Sequence, residues 1–310
     1  MASIRDRAVN GLLGGATAGK GQPAGGGAAV VPLAPYAIIG GSGTFSLDFP
    51  EALEEPGVKV LQEGLVFPTP YGESPPFKLF TARGKKVLTC KMHGRRWGIP
   101  RGRASQQVFW VLREAGATRV ISEGGVGSIN HLLDPRDLVV PHDYIDFSMR
   151  RDVSLESGHL MIMRRALCPQ LRESLVAAAR QEPGCRVFDR GIYVVTDGHH
   201  FESPAEISVF RLWGADVVGQ SLCPEAYLAR EIGACYASLN LVVNYAEGVV
   251  RDWEHRELVD IFYSGAPLVG RILLRALEVL DDERNCGCDQ WRKPTLLRDR
   301  GGTMRGEGSG

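Results

Sequence analysis

The chain has 310 residues, 44% of them hydrophobic, with 36 basic and 36 acidic residues and zero formal charge. That composition supports a large core and leaves no basic excess for nucleic acid and no acidic tail for a charge-driven partner. Apolar runs such as "YVVTD" and "YASLNLVV" are too short to cross a bilayer, so no membrane partner is expected.

Residues 1–34 include "GLLGGATAGKGQPAGGGAAVV", a Gly/Ala tract without periodicity that is expected to be disordered. Arg5 and Arg7 precede no continuous apolar stretch, so no signal peptide is expected. Residues 35–283 form the expected folded body, a single domain, and residues 284–310 a second disordered segment. Within the body, strands are predicted at 36–40, 86–90, 119–123, 137–141, 191–197, 216–220 and 235–243. Helices are predicted at 104–116, 168–181, 203–213, 223–233 and 257–281. The alternation argues an α/β fold with a largely parallel or mixed sheet flanked by helices. The seven cysteines are odd in number and scattered, which suits a reducing, cytoplasmic compartment. Cys286 and Cys288 form a C-x-C pair with no second pair, so no metal is expected from them.

In α/β sheets, ligands gather beyond the carboxyl ends of strands. Here those ends read "GSG" (41–43), "GGVGS" (124–128), "GHHFES" (198–203), "SLCPE" (221–225) and "NYAEG" (244–248). Small and polar residues with free backbone N–H groups suit an anion beside a polar planar ligand. A lone "GGSG" is more often a tight turn; five such ends in one domain carry more weight. In "HHFESPAE" (199–206), Glu202 is either a helix cap near 203–206 or a carboxylate in a pocket. His199 and His200 are adjacent on an extended segment and point apart, which disfavours shared metal ligation.

The blocks "IIGGSG" (38–43), "GVGSIN" (125–130), "GHHFESPAE" (198–206), "GADVVGQSLCPEAYLAREIG" (214–233) and "YASLNLVVNYAEG" (236–248) together resemble the trimeric purine nucleoside phosphorylase and methylthioadenosine phosphorylase family. The resemblance covers roughly residues 36–280. It implies a distorted mixed sheet between helices, a homotrimer, and phosphorolysis of a purine nucleoside to free base and ribose 1-phosphate. Inorganic phosphate is then the co-substrate, and no cofactor or protein nucleophile is needed. As C1′ becomes cationic and the purine leaves with negative charge, such a site must bind the base edge most strongly in the transition state. It must also hold phosphate in near-attack geometry.

The resemblance implies specific roles. Glu202 and Asn244 are the candidate catalytic pair, occupying the positions of relatives selective for 6-oxopurines; relatives acting on 6-aminopurines usually have Ser and Asp there. The chemistry agrees: a carboxylate accepts from the N1–H of hypoxanthine or guanine, and an amide can serve both O6 and N7. Phe201, Gln220, His255 and Gly125 are implied around base and sugar, with His255 near the 5′-hydroxyl. Ser42, Lys91, His93 and Ser221 are implied around phosphate, while Arg95 and Arg96 are expected to point elsewhere. The loop 246–256 is implied as a lid, plugged by Trp253. Glu123 and Gly124 depart from the family pattern: a carboxylate near a dianion repels it unless Lys91 neutralises it or the side chain turns away. The leading expectation is a 6-oxopurine nucleoside phosphorylase. A 5′-methylthionucleoside phosphorylase is the alternative within the class, and a nucleoside-binding or hydrolytic relative the alternative outside it.

Overall fold

A computed structural model describes residues 30–150 and 152–295. In chain order the strands are β1 Tyr36–Ile39, β2 Val58–Leu65, β3 Pro68–Thr69, β4 Gly72–Glu73, β5 Phe77–Ala82, β6 Lys85–Cys90, β7 Arg119–Ser128, β8 Leu138–Val139, β9 Asp143–Asp146, β10 His159–Met161, β11 Val187–Phe188, β12 Ile192–Val195, β13 Val217–Gly219, β14 Cys235–Tyr245 and β15 Arg292–Pro294. The α-helices are α1 Arg101–Glu114, α2 Pro169–Ala179, α3 Pro204–Leu212, α4 Leu222–Glu231 and α5 His255–Val279.

Among the described residues, eleven strands form one mixed sheet. Its spine runs β11-β8-β14-β7-β1-β6-β5-β2, with β1, β6, β7 and β14 mutually parallel and β2 and β5 antiparallel at one side. At its carboxyl end β7 also pairs antiparallel with β13, which carries β12 and β9 with it. The expected α/β mixed sheet is therefore observed, and this fork is its distortion.

The central strands are apolar without alternation because both faces are covered. Ala37 and Ile39 of β1 face one core cluster, with Val108 and Leu112 of α1 and Ala226 and Ala229 of α4. Tyr36 and Ile38 face the other, with Leu171 and Leu175 of α2 and Ile272 and Leu277 of α5. A third cluster joins Ile207 and Phe210 of α3 to Val194, Val218 and Tyr245.

Two boundaries move. Residues 1–29 of the segment expected to be disordered lie outside the described residues, but Ala34 is fully buried and its N–H donates to the Ala115 carbonyl at 2.9 Å. The chain beyond residue 283 is structured as far as residue 295: Cys288–Trp291 forms a 3-10 turn and β15 pairs antiparallel with β10. Distant residues fix that segment and the turn that leads into it. Arg119 donates to the carbonyls of Asp281, Asp282 and Glu283, and Arg230 donates to that of Cys288. No local pattern reports such contacts. Residues 296–310 lie outside the described residues.

Candidate active site

A cleft of about 240 Å³ opens where β7, β13 and β14 end. Ser42, His93, Gly125, Phe201, Glu202, Gln220, Ser221 and Asn244, all implied from sequence, line it together.

The polar edge is built locally. Glu202 is 5% exposed, and the Thr196 hydroxyl donates to its Oε1 at 2.6 Å. It is not the cap of α3. Ser203 is the N-cap and Glu206 completes a capping box with it. With capping assigned to its neighbours, the Glu202 carboxylate is held by one oxygen at the cleft wall.

Asn244 arrives by a bulge. β14 is in register with β7 as far as Val242 and Val126, then shifts so that Asn244 faces Gly127. A regular strand sends successive side chains to opposite faces; the bulge lets both Val243 and Asn244 line the cleft. Asn244 is 3% exposed and one amide hydrogen goes to the Tyr245 carbonyl at 2.7 Å, leaving the second hydrogen and Oδ1 for other partners.

Glu123 is turned away from the cleft. It lies 1% exposed beneath the loop 40–44. Its carboxylate accepts from the N–H of Gly41, from those of Gly43 and Thr44 at 3.0 Å each, and from the Thr44 hydroxyl at 2.7 Å. Burial pushes its pKa up, against the pull of Thr44, His93 and Gly41. Glycine is required here by close approach: a Cβ on Gly41 would sit 2.2 Å from the Glu123 carbonyl oxygen, and one on Gly43 2.3 Å from its Oε2. The expectation that "GSG" offers free N–H donors is thus corrected for Gly41 and Gly43, whose N–H groups an internal carboxyl group occupies. The Gly125 N–H is likewise engaged, donating to Ser42 Oγ at 3.0 Å.

The cationic side differs from expectation too. Lys91 is exposed and does not line the cleft; its ammonium donates to the Leu47 carbonyl at 2.9 Å and stands 3.8 Å from Asp48. Arg95 and Arg101 line it instead. Arg101 is largely enclosed, and burial beside Arg150 lowers its pKa to about 10, leaving it charged at neutral pH. Sequence reasoning sent Arg95 elsewhere and passed over Arg101, which lies ahead of the helix predicted at 104–116 but opens α1 in the structure.

His93 is presented by a turn in which Met92, His93 and Gly94 all have φ between 52° and 71°. Two consecutive left-handed non-glycine residues cost about 1 kcal/mol or more each and mark a constrained site. His93 Nδ1 lies 2.8 Å from Glu225 Oε1, and the Tyr236 hydroxyl donates to Glu225 Oε2 at 2.8 Å. The ring is thereby fixed with Nε2 toward Gly41 and Gly124, at 2.6 and 3.9 Å from where their Cβ atoms would be.

At the mouth, Phe201 and Trp253 pack with ring centroids 4.7 Å apart, and Trp253 Nε1 donates to Glu247 at 2.9 Å. Glu247, Leu258 and Phe262 also line the cleft and escaped sequence reasoning. His255 does not line it: it is exposed at the first turn of α5, while Leu258 and Phe262 carry that helix into the cleft. His199 and His200 are exposed outside it, His199 with φ 73°.

A family model described as the phosphorylase superfamily matches residues 35–278. The chain belongs to this superfamily. Among its superfamily relatives, the 6-oxopurine nucleoside phosphorylase of Pyrococcus furiosus is 35% identical over 265 residues, covering 81% of this chain and 95% of the relative. A probable S-methyl-5′-thioinosine phosphorylase of Methanopyrus kandleri is 34% identical over 260 residues, covering 82% and 95%. A methylthioadenosine phosphorylase from an antarctic soil metagenomic library superposes with a TM-score of 0.73 at 23% identity, covering 84% of this chain and 91% of that one, a likeness of fold.

Proposed function

We propose that the protein cleaves the N-glycosidic bond of a 6-oxopurine nucleoside with inorganic phosphate, releasing the free base and a pentose 1-phosphate, without a cofactor. The observation carrying this reading is the shared cleft wall of Glu202 and Asn244, the one relieved of capping duty and the other delivered by a bulge. Glu202 accepts from purine N1–H. Asn244 donates to N7 or O6 as negative charge builds on the leaving base, which is where stabilisation accelerates reaction. Arg95, Arg101, His93, Ser42 and Ser221 supply charge and donors for the anion. With Glu123 sequestered by the glycine loop, a dianion in the cleft meets cations rather than a free carboxylate.

A second reading, a 5′-methylthioinosine phosphorylase, is favoured by one observation. His255 is outside the cleft while Leu258 and Phe262 line it, and an apolar wall suits a methylthio group better than a hydroxyl. The relatives' names span both activities. We place the protein in the cytoplasm, where thiols stay reduced, and in purine salvage; its seven unpaired cysteines support this. Among the described residues no helix is long and apolar enough to cross a membrane.

Base release from inosine, 5′-methylthioinosine and adenosine, each with and without phosphate, tests these readings. Phosphate-dependent release from the two 6-oxopurine substrates and little from adenosine is expected. The ratio of kcat/KM between inosine and methylthioinosine separates the two readings. Release without phosphate overturns both and assigns a hydrolase.

A further inference from the structure

Four sulfurs from distant parts of the chain converge on the side of the fold away from the cleft. Cys168 precedes α2, Cys235 opens β14, and Cys286 and Cys288 lie beyond α5. Their Sγ atoms all fall within 4.8 Å of one another. Three are buried and Cys286 is half-buried, and none lines the cleft. A zinc–sulfur bond of about 2.3 Å places the edges of a tetrahedral sulfur cage at roughly 3.8 Å. The Cys235 and Cys286 sulfurs are 3.3 Å apart, well beyond the roughly 2.05 Å of a disulfide.

The surroundings give a second, independent indication. Four thiolates around a divalent cation leave two negative charges, and Arg119 is placed to meet them. It is 2% exposed, and its Nη1 donates toward Cys235 Sγ at 3.4 Å and Cys286 Sγ at 3.9 Å. Arg284 interacts with Cys235 as well. Burying a guanidinium against neutral thiols is unfavourable; against an anionic tetrathiolate the charge is paired. Nη2 of Arg119 donates to the Glu283 carbonyl, three residues before Cys286, and Arg230 donates to the Cys288 carbonyl, so the chain that carries the two cysteines is fixed in place.

We propose that Cys168, Cys235, Cys286 and Cys288 bind one structural Zn²⁺ ion. Each thiol gives its proton to solvent on coordination, no redox change occurs, and four sulfurs leave no open position for substrate or water. The ion ties the chain beyond α5 to the start of β14 and to α2, and thereby holds β15 against β10. The expectation of no metal rested on the lack of a second pair beside Cys286 and Cys288. Folding supplies that pair from residues 168 and 235.

Metal analysis of the full chain, purified without chelator, together with thiol titration in denaturant plus chelator, tests the proposal. One zinc per chain and all seven thiols reactive are expected. The double variant Cys286→Ser, Cys288→Ser should lose the zinc and melt at lower temperature while keeping phosphorolysis at low temperature. Should that variant fail to fold, cobalt exchanged into the wild-type chain reads the site directly, through thiolate-to-cobalt absorption of a tetrahedral centre. Two results overturn the proposal. Only three reactive thiols and no zinc would mean two disulfides in place of the site. Seven reactive thiols with no zinc retained after equilibration with the ion would mean four free cysteines.

Discussion

In the proposed reaction, base specificity rests on a single side chain, Asn244. Its carboxamide offers a hydrogen to an acceptor on the base and an oxygen to a donor, and the Tyr245 carbonyl holds its orientation at 2.7 Å. In Asn244→Asp, a carboxylate would face O6, acceptor against acceptor. An unpaired buried polar group costs about 1–3 kcal/mol, so kcat/KM on inosine should fall roughly 10- to 100-fold, while the adenosine-to-inosine ratio rises. An unchanged base preference would remove Asn244 from the base edge. Glu123 teaches the converse. A carboxyl group that looks wrong for an anion site is instead a structural acceptor. It gathers the N–H groups of Gly41, Gly43 and Thr44 from within and sets the shape of the loop that carries Ser42.

At the scale of elements, the site depends on how strands end and helices begin. The β14 bulge turns two consecutive residues into the cleft, and the Ser203–Glu206 capping box fixes the chain directly after Glu202. Ser203→Ala removes the cap and should destabilise the protein by about 1 kcal/mol, lowering Tm by roughly 2–4 °C for a domain of this size. Because the cap sets the backbone at Glu202, the nucleoside KM should rise with little change in kcat. Calorimetry and steady-state kinetics on one preparation check both; a Tm drop with unaltered KM would show that Thr196 alone positions the carboxylate. The left-handed turn at Met92 and His93 is the matching device on the other wall, held by the His93 N–H to the Gly40 carbonyl at 2.8 Å.

At the scale of the whole molecule, the exposed apolar surface is uneven. Phe147 and Trp213 are 44% and 49% exposed, with ring centroids 5.5 Å apart, and Met149 and Leu212 are 87% and 86% exposed. Clustered aromatic exposure marks contact surfaces more often than bare solvent. It supports the homotrimer that the family resemblance implies, and light scattering should return about three times the 33.8 kDa chain mass. The same measurement on Trp213→Asp should shift the mass toward the monomer. A wild-type chain that runs as a monomer refutes the trimer.

Legible in the sequence were the fold class, the five helices within a few residues, the central strands and eight of the residues that line the cleft. Those features rest on periodicity, caps and strand-end composition, which are local in the chain. It missed β2 and β5, partly polar strands that pair at one side of the sheet, and it placed the end of the folded body at 283, whereas structure extends to at least 295. The three-dimensional fold settles which cations face the cleft: a left-handed turn at Met92 and His93 separates Lys91, which does not line it, from Arg95, which does. It also decided that Glu123 serves the glycine loop across 80 residues of separation, and that Cys168 and Cys235 meet Cys286 and Cys288. These are contacts between segments far apart in the chain; sequence spacing carries no signal for them until the sheet brings them together.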